Sequence, residues 1–192
     1  MAVVYAGLMA LGAVAAWLAT TRRALRQARD RSDRAWTDID ALLRRRHDLT
    51  AQLLATVARE VPAEEHVVGG ACEALDRAMA ASSPLERTEA ERRLVTALAG
   101  VAALAERHPI LGGCGEFVEQ QAQLADVEDA LLAARRIYNA DVRLYRHRLQ
   151  RAPTVVLRAE PFPEPAYFEL DHTRELGVAS PWARATLGPG TA

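Results

Sequence analysis

The sequence contains no lysine, so all of its 24 basic residues are arginines. Lysine forms Schiff bases with carbonyl substrates and binds phosphate in P-loop proteins, and its absence excludes both of these enzyme classes. The two cysteines, Cys72 and Cys114, are too few for a zinc ribbon and unlike a disulfide scaffold. Aromatic residues make up only 5% of the chain.

An excess of charge of either sign is also missing, because 24 basic residues oppose 25 acidic ones and the formal net charge is −1. A protein that binds nucleic acid through bulk charge carries a clear basic excess, so no nucleic-acid partner is expected. Hydrophobic residues reach 50%, mainly through alanine and leucine, a composition that suits helices. A chain of 192 residues is long enough for one domain with its own core.

The segment Ala2–Thr21 is 20 residues long and contains no charged residue. A helix of this length spans about 30 Å, the thickness of a bilayer core, which predicts a transmembrane helix over residues 1–21. Tyr5 and Trp17 lie near its ends, where aromatic rings prefer the membrane interface. A cleaved signal peptide and a buried core helix remain alternatives, although no basic residue precedes the apolar run and Ala13-Val14-Ala15 only resembles a cleavage site.

The flanks of this segment predict its orientation. Residues 22–34 contain six arginines and two aspartates, a net charge of +4, whereas only Met1 and its amine precede the apolar run. The positive-inside rule therefore places the N-terminus outside the cell membrane and residues 22–192 in the cytoplasm, as a single-pass protein.

Apolar residues at helical spacing predict an all-α, antiparallel four-helix bundle over residues 22–151. The first helix continues from the span to Glu60, the second runs from about Pro62 to Ala81, the third from Pro84 to His108, and the fourth from Gly115 to about Gln150. Ser83 is the expected N-cap of the third helix, and Pro109 with Gly112-Gly113 is expected to break the chain. The predicted inward residues are Trp36, Ile39, Leu42, Leu43, Leu49, Leu53 and Val57 of the first helix, Leu94, Val95, Leu98, Val101 and Leu104 of the third, and Phe117, Leu124, Leu131, Tyr138 and Tyr145 of the fourth, the last set a coiled-coil-like heptad seam.

Helix lengths bring the end of the fourth helix back to within about 15 Å of the membrane. Residues 135–151 carry a net charge of +5, so the arginines at this end could form a collar that contacts anionic lipids. A solvated helix face with intrahelical ion pairs is the alternative. The candidate membrane-surface contacts are Arg22, Arg23, Arg26, Arg29, Arg146, Arg148 and Arg151.

Residues 152–192 contain six of the nine prolines and show no helical periodicity. They predict an extended C-terminal tail, with a short extended stretch at 154–157, polyproline II conformation at 161–165 and disorder beyond His172. Phe162, Tyr167 and Phe168 are expected to pack back on the bundle or to be offered to a partner.

A search for chemistry along the chain finds no catalytic constellation. His47-Asp48 could be an acid/base pair, but adjacent helix positions point about 100° apart, so a surface histidine beside an ion pair is the favoured interpretation. Arg44-Arg45-Arg46 could bind phosphate, although a helix-surface cluster is favoured. The five histidines are scattered without metal-ligand spacing, and no cofactor is expected. Cys114, near the start of the fourth helix, is a weak candidate for a reactive thiol.

Two segments resemble the motifs of the LemA family. The first comprises 36–40 (Trp-Thr-Asp-Ile-Asp) and 43–49 (Leu-Arg-Arg-Arg-His-Asp-Leu), and the second runs from Glu128 through 133–139 (Ala-Ala-Arg-Arg-Ile-Tyr-Asn) to Val142 and Tyr145. The residues that match the family motifs are Trp36, Arg45, Asp48, Arg136, Tyr138 and Asn139. Pro153 and Tyr167-Phe168 resemble the end of the family's pattern. The resemblance covers about residues 3–170 and implies one N-terminal span followed by a cytoplasmic helical bundle, with no established catalytic residue.

The sequence therefore predicts a non-enzymatic, membrane-anchored helical scaffold that binds an unidentified protein partner. A signalling module, in which the helix continuous with the span transmits motion to the bundle, is the alternative. An extracytoplasmic sensor would follow from the inverted topology.

Overall fold

The computed structural model describes residues 1–82, 84–154, 156 and 161–168, and the regular secondary structure of these residues is entirely helical. The expected all-α class with an N-terminal apolar helix is thus confirmed. The helices are α1 (Ala2–Glu60), a 3₁₀ helix (Pro62–Glu64), α2 (Glu65–Ala80), α3 (Pro84–Arg107), α4 (Pro109–Gly113) and α5 (Gly115–Arg151).

The helix boundaries follow the prolines. Pro62 and Pro84 each occupy the first turn of a helix, where a missing N–H costs nothing. The expected break at residues 109–113 is instead the one-turn helix α4, which was not predicted. Pro109 starts it, and Leu111 anchors it because its side chain is fully buried. The Cys114 N–H then donates to the Leu111 carbonyl at 3.1 Å and closes the turn.

The chain divides into two compact units, which are described separately. Of the described residues, unit 1 contains those within 1–38 and 134–167, and unit 2 contains those within 39–133 together with Phe168. Helices α1 and α5 contribute to both units, whereas α2, α3 and α4 lie within unit 2.

The core of unit 2 is built from the apolar faces of α1, α2, α3 and α5. The predicted inward residues of α3 are all buried, as are Ile39, Leu43, Leu49, Leu53 and Val57 of α1. Trp36 and Leu42 are only partly buried. On α5, Phe117 and Leu124 belong to this core, and the other residues predicted at seven-residue spacing, Leu131 and, in unit 1, Tyr138 and Tyr145, are buried as well.

Unit 1 has a small apolar cluster of its own. Leu25 and Ala28 of α1, Tyr145 of α5 and Val156 form its buried centre. Leu18, Leu149, Ala152 and Phe162 pack around it and are partly buried. Phe162 therefore packs back on the helices, which was one of the two roles expected for the tail aromatics.

The first part of α1 is unlike the rest of the helix, because its apolar side chains have no protein cover. Val3, Leu8, Met9 and Leu11 are each more than 60% exposed, and Trp17 is 56% exposed. Within the described residues, this helix is the single one long and apolar enough to cross a membrane. The hydroxyls of Thr20 and Thr21 both donate to the Trp17 carbonyl, at 2.8 and 2.9 Å, and the helix continues without a break into the arginines.

The tail departs from expectation at one place. Thr154 and Val156 lie in a helical turn, in which the Val156 N–H donates to the Pro153 carbonyl at 2.9 Å, and the extended stretch predicted at 154–157 is wrong there. Pro153 accounts for this turn, since its fixed φ suits a first helical position. The expected N-cap Ser83 and the expected disorder beyond His172 lie outside the described residues.

The buried stripe of α5 makes a direct stability prediction. Phe117 is 1% exposed and its neighbour Val118 is 47% exposed. Phe117→Ala should lower the free energy of unfolding by about 3–5 kcal/mol, because it leaves a cavity in the core. Val118→Ala is the control and should change it by about 0.5 kcal/mol or less. Chemical denaturation of the full chain in detergent micelles measures both, and equal losses would contradict the assignment of Phe117 to the core.

Candidate functional site

Unit 2 contains a buried ion pair between helices α1 and α3. Arg46 of α1 is 3% exposed and Glu91 of α3 is fully buried. Arg46 Nη2 donates to Glu91 Oε2, and His47 Nε2 lies 2.8 Å from the second carboxylate oxygen, Glu91 Oε1. Both oxygens of Glu91 thus have a partner from α1, an arrangement that lowers the cost of burying the carboxylate.

Electrostatics define the charge state of this cluster. Burial lowers the pKa of Arg46 to about 10, while the Glu128 carboxylate acts in the opposite direction, so Arg46 is a cation at neutral pH. Burial lowers the pKa of His47 to about 4, assisted by the cations Arg46 and Arg87 and opposed by Asp48 and Asp40. His47 is therefore neutral and donates its Nε2–H to Glu91, so Arg46 is the cation that contacts this carboxylate.

A more exposed pair flanks the buried one. Arg87 Nη1 of α3 lies 2.5 Å from Asp40 Oδ1 of α1, and Asp40 also pairs with Arg44 one helical turn away. Asp40 and Arg87 are about one-quarter exposed, and ion pairs in contact with water contribute little to stability. Their geometry nevertheless links the same two helices as the buried pair.

Contacts between α1 and α5 in unit 2 are polar at the edges of the core. Arg45 Nη2 donates to Gln123 Oε1 at 3.5 Å. Further along α1, the Thr56 hydroxyl donates to Glu116 Oε1 at 3.2 Å, and Arg59 Nη2 lies 2.7 Å from Glu116 Oε2. Arg59 lowers the pKa of the Glu116 carboxyl and keeps it ionised.

Unit 1 brings together two of the residues that match the family motifs. The rings of Trp36 and Tyr138 lie 5.5 Å apart at an angle of 52°, which is a tilted aromatic pair. The Tyr138 hydroxyl donates to the Ala166 carbonyl at 2.8 Å. Burial and the nearby Asp33 raise the pKa of Tyr138, so its hydroxyl stays protonated and holds the tail.

Several arginines of the predicted collar make structural contacts within unit 1. Arg148 Nη1 donates to the Ala24 carbonyl at 2.9 Å, and Arg29 Nη1 donates to the Pro161 carbonyl at 3.5 Å. Arg29 also lies 3.7 Å from Asp33. Arg146 pairs with Glu164 and lies 4.9 Å from the centre of the Tyr167 ring. Arg22 is partly buried, whereas Arg23, Arg26 and Arg151 are exposed.

Of the other motif residues, Arg45 makes the contact with Gln123 described above. Arg45, Asp48 and Arg136 are exposed, and Asn139 is partly buried. The favoured interpretation of His47 as a surface residue is wrong, since it is 8% exposed and bound to Glu91. The surface-cluster interpretation of Arg44-Arg45-Arg46 is also wrong for Arg46. The physical reason is the same in both cases, because the carboxylate of Glu91 lies opposite on α3 and accepts from both side chains.

Sequence reasoning missed Glu91, although a signal for it exists. Arg46 is three residues from both Leu43 and Leu49, and Glu91 is three residues before Leu94 and seven before Leu98. Each charge therefore interrupts the apolar stripe of its own helix. Two opposite charges on two inward faces predict a buried pair, because a single buried charge is too costly.

Among the residues that the structure describes, no group of three or more His, Cys, Asp or Glu side chains could hold a metal ion. Cys114 is partly buried and packs against the core of unit 2, while Cys72 of α2 is exposed. Burial and Asp76 raise the pKa of the Cys72 thiol.

Together these features define an all-helical protein with a long apolar N-terminal helix and a buried arginine–glutamate pair. The chain belongs to the LemA family, whose model matches residues 35–178. No curated protein matches the chain. The family resemblance drawn from the two motifs is thereby confirmed.

The buried ion pair predicts a strong effect of removing one charge. Glu91→Gln should lower the free energy of unfolding by about 3–5 kcal/mol, because it leaves the buried Arg46 cation uncompensated. Glu106→Gln, at an exposed position of the same helix, is the control and should have little effect. The double variant Arg46→Met, Glu91→Leu should recover most of the loss. Denaturation of the full chain measures all three, and equal effects of the two single variants would refute a buried charge at position 91.

His47 predicts a pH dependence of stability. Its pKa is about 6.5 in the unfolded chain and about 4 in the folded one. The unfolded state therefore binds the proton first, and stability should fall as the pH drops from 6.5 to about 4 and then stop falling from this cause. His47→Gln keeps a hydrogen-bond donor but does not titrate. The thermal midpoint of the natural sequence minus that of the His47→Gln variant, measured from pH 7.5 to 4, should fall as the pH drops through that window. A constant difference would contradict the prediction.

Proposed function

We propose that this chain is a non-enzymatic interaction protein, anchored in the cell membrane by residues 2–21, with residues 22–192 in the cytoplasm. Family membership and the apolar N-terminal helix fit a membrane-anchored helical protein. The observation that carries the proposal is the exposure of the apolar side chains in the first part of α1, of which Val3, Met9 and Leu11 are examples. Such a surface is unfavourable in water and requires lipid around it.

The continuity of α1 supports a retained span. The most apolar stretch of this helix has no residue buried against the protein, unlike the core helix of a soluble domain. The same helix extends to Glu60 and supplies Leu25, Arg46 and Leu53 to the interior of the two units. The anchor and both folded units therefore share one helix.

The direction of the helices is part of the proposal, which is an antiparallel four-helix bundle formed by α1, α2, α3 and α5. In unit 1, the Ala24 carbonyl accepts from Arg148 and Trp36 contacts Tyr138. Residue numbers therefore increase along α1 in the direction in which they decrease along α5, so the two helices are antiparallel. In unit 2 the pairs Arg45–Gln123 and Thr56–Glu116 follow the same rule. In the pairs Asp40–Arg87 and Arg46–Glu91, residue numbers increase in the same direction along α1 and α3, which supports a parallel orientation of these two helices.

The positive flank supports the cytoplasmic side. Residues 22–34, which directly follow the span, carry a net charge of +4. Among the collar residues, Arg23 and Arg151 expose their side chains and are the best placed for anionic lipid headgroups, at up to about 1 kcal/mol each. Arg146 and Arg148 are engaged within unit 1 and contribute their charge alone.

The partners of this proposal are the bilayer, anionic lipids and a cytoplasmic protein that is not yet identified; nucleic acid is not among them. Residues 39–133 contain 16 acidic residues and nine arginines, so this part of the chain attracts a basic surface. A second candidate function, a signalling module, is favoured by the single helix α1 that joins the span to both units. It requires two arrangements of the helices with different affinity for a partner.

Topology is the sharpest test, and the chain carries its own probe. Cys72 on α2 is exposed, so a membrane-impermeant maleimide should label it only when it can reach that side of the membrane. In the Cys114→Ser variant, intact cells should show no labelling and permeabilised cells should show full labelling. Labelling of intact cells would overturn the cytoplasmic assignment and favour an extracytoplasmic sensor.

The matched control is Cys72→Ser, which leaves only the partly buried Cys114 and measures the background. Extraction of the membrane fraction with alkaline carbonate completes the experiment. The protein should stay with the membrane, because the apolar helix is integral. Release into the supernatant would refute the anchor itself, independently of its orientation.

A further inference from the structure

Helix α5 carries a second stripe in unit 1, on the side that faces away from the core. Ile137 is 60% exposed and Leu144 is 36% exposed, and Ala140 and His147 are exposed as well. These four residues, the outer stripe, follow one another at alternating spacings of three and four, so they lie in one line along the helix surface. Single apolar side chains are ordinary on a protein surface, whereas a line of them marks a helix face without a partner.

The outer stripe is distinct from the buried face of the same helix. Tyr138, Val142 and Tyr145 pack inside unit 1, and each is 6% exposed or less. At 100° per residue, the outer stripe lies roughly 145° around the helix from these three residues. Helix α5 therefore packs on unit 1 with one side and presents the outer stripe on the other.

The outer stripe has the spacing of a coiled-coil seam, with Ile and Leu at the a positions and Ala140 and His147 at the d positions. Charged residues flank it on both sides. Arg136 and Arg143 occupy g positions, and Asp141 occupies the e position between them. Within the part of the chain that the structure describes, these three charges have no ion-pair or hydrogen-bond partner. They are available to a helix that packs on the stripe.

The orientation of two copies follows from the span, and this step rests on the membrane anchor of the proposed function. Two chains that cross one bilayer in the same sense have parallel α5 helices. In a parallel coiled coil, each g residue lies beside the e residue of the next heptad of the other chain. Arg136 therefore meets Asp141 of the second copy, and two-fold symmetry makes this pair twice.

Charge distinguishes the parallel orientation from the opposite one. In an antiparallel pair centred on Ala140, Arg136 would meet Arg143 of the other copy, and like charges repel. The parallel pair also brings Arg143 beside Arg148, but Arg148 is turned toward α1, because its Nη1 donates to the Ala24 carbonyl at 2.9 Å. The attractive pair thus occurs in the orientation that the shared bilayer imposes.

We propose that unit 1 binds a second copy of this chain through the outer stripe of α5, as a parallel two-stranded contact. Ile137 packs on Ile137 of the second copy and Leu144 on its own counterpart, while the small Ala140 between them permits close approach. The stripe supplies both charges of its flanking ion pair, which favours a copy of itself over a different helix. The apolar area is small, and confinement to one membrane surface raises the effective concentration of the copies.

Disulfide cross-linking in isolated membranes tests the contact. The full chain carries Cys72→Ser and Cys114→Ser, and Ala140→Cys then places one thiol at the centre of the outer stripe. Oxidation with copper phenanthroline should give a disulfide-linked dimer of twice the chain's mass, because facing d positions lie within disulfide range. Thr37→Cys, at an exposed position of α1, is the matched control and should give at least about tenfold less dimer.

Three results would overturn the proposal. They are the absence of a dimer from Ala140→Cys, an equal yield from Thr37→Cys, and a cross-link to a protein of a different mass. The last result would assign the outer stripe to a different partner.

A charge exchange tests the register and the orientation. Arg136 is exposed, so Arg136→Asp leaves the fold intact. It should lower the yield of the Ala140→Cys dimer about tenfold, because it turns both ion pairs into repulsions. Adding Asp141→Arg restores opposite charges in exchanged positions and should recover most of the yield. An unchanged yield in the single variant, or no recovery in the double one, would refute the pairing of Arg136 with Asp141.

Carbonate extraction of the same membranes separates the two levels of the argument. A chain that stays with the membrane and gives no dimer refutes the contact between copies and leaves the anchor standing. A chain that carbonate releases refutes the anchor, and the parallel alignment with it.

Discussion

The contact between Arg46 and Glu91 constrains unit 2 more than any other single interaction. Each charge alone would be too costly to bury, and together they are tolerated only when α1 and α3 meet in one register. His47 contacts the remaining carboxylate oxygen and is neutral at pH 7, because burial lowers its pKa to about 4. Once this register is fixed, Leu49 and Leu53 of α1 and Leu94 and Leu98 of α3 enter the same core. Without this ion pair, apolar contacts alone would specify the register of α3 along α1 less strictly.

Unit 1 is held together differently, by an aromatic pair between α1 and α5 and by a hydrogen bond from α5 to the C-terminal tail. Trp36 packs on Tyr138, and the Tyr138 hydroxyl holds the Ala166 carbonyl, so one side chain joins α1, α5 and the tail. Arg146 adds a contact with Tyr167 and Glu164. The arginines of this unit therefore serve two purposes. Some donate to backbone carbonyls or pair with acids, and the functional proposal assigns the exposed ones to anionic lipid.

The functional proposal joins these observations through α1. The exposed apolar part of this helix fits a lipid environment, the arginines that follow favour the cytoplasmic side, and the same helix supplies Arg46 to the buried ion pair with Glu91. A conformational signal that rotated or shifted α1 against α3 would have to break this ion pair. The ion pair thus favours the anchor-and-scaffold role in the proposal over the signalling role, since bistable elements need two packings of similar energy.

The sequence alone determined the helices, their inward faces, the apolar segment and the family, because periodicity, proline positions and local motifs act within a few residues. It placed Leu94, Leu98 and Phe117 in the core correctly. It did not place His47 or Arg46, because their burial depends on a group far away in the chain, and it did not predict α4, whose Leu111 is buried in the core of unit 2. A charged side chain is buried only where an opposite charge lies within contact distance, and Glu91 is 45 residues from Arg46 in the chain. Only the tertiary structure brings these two side chains into contact.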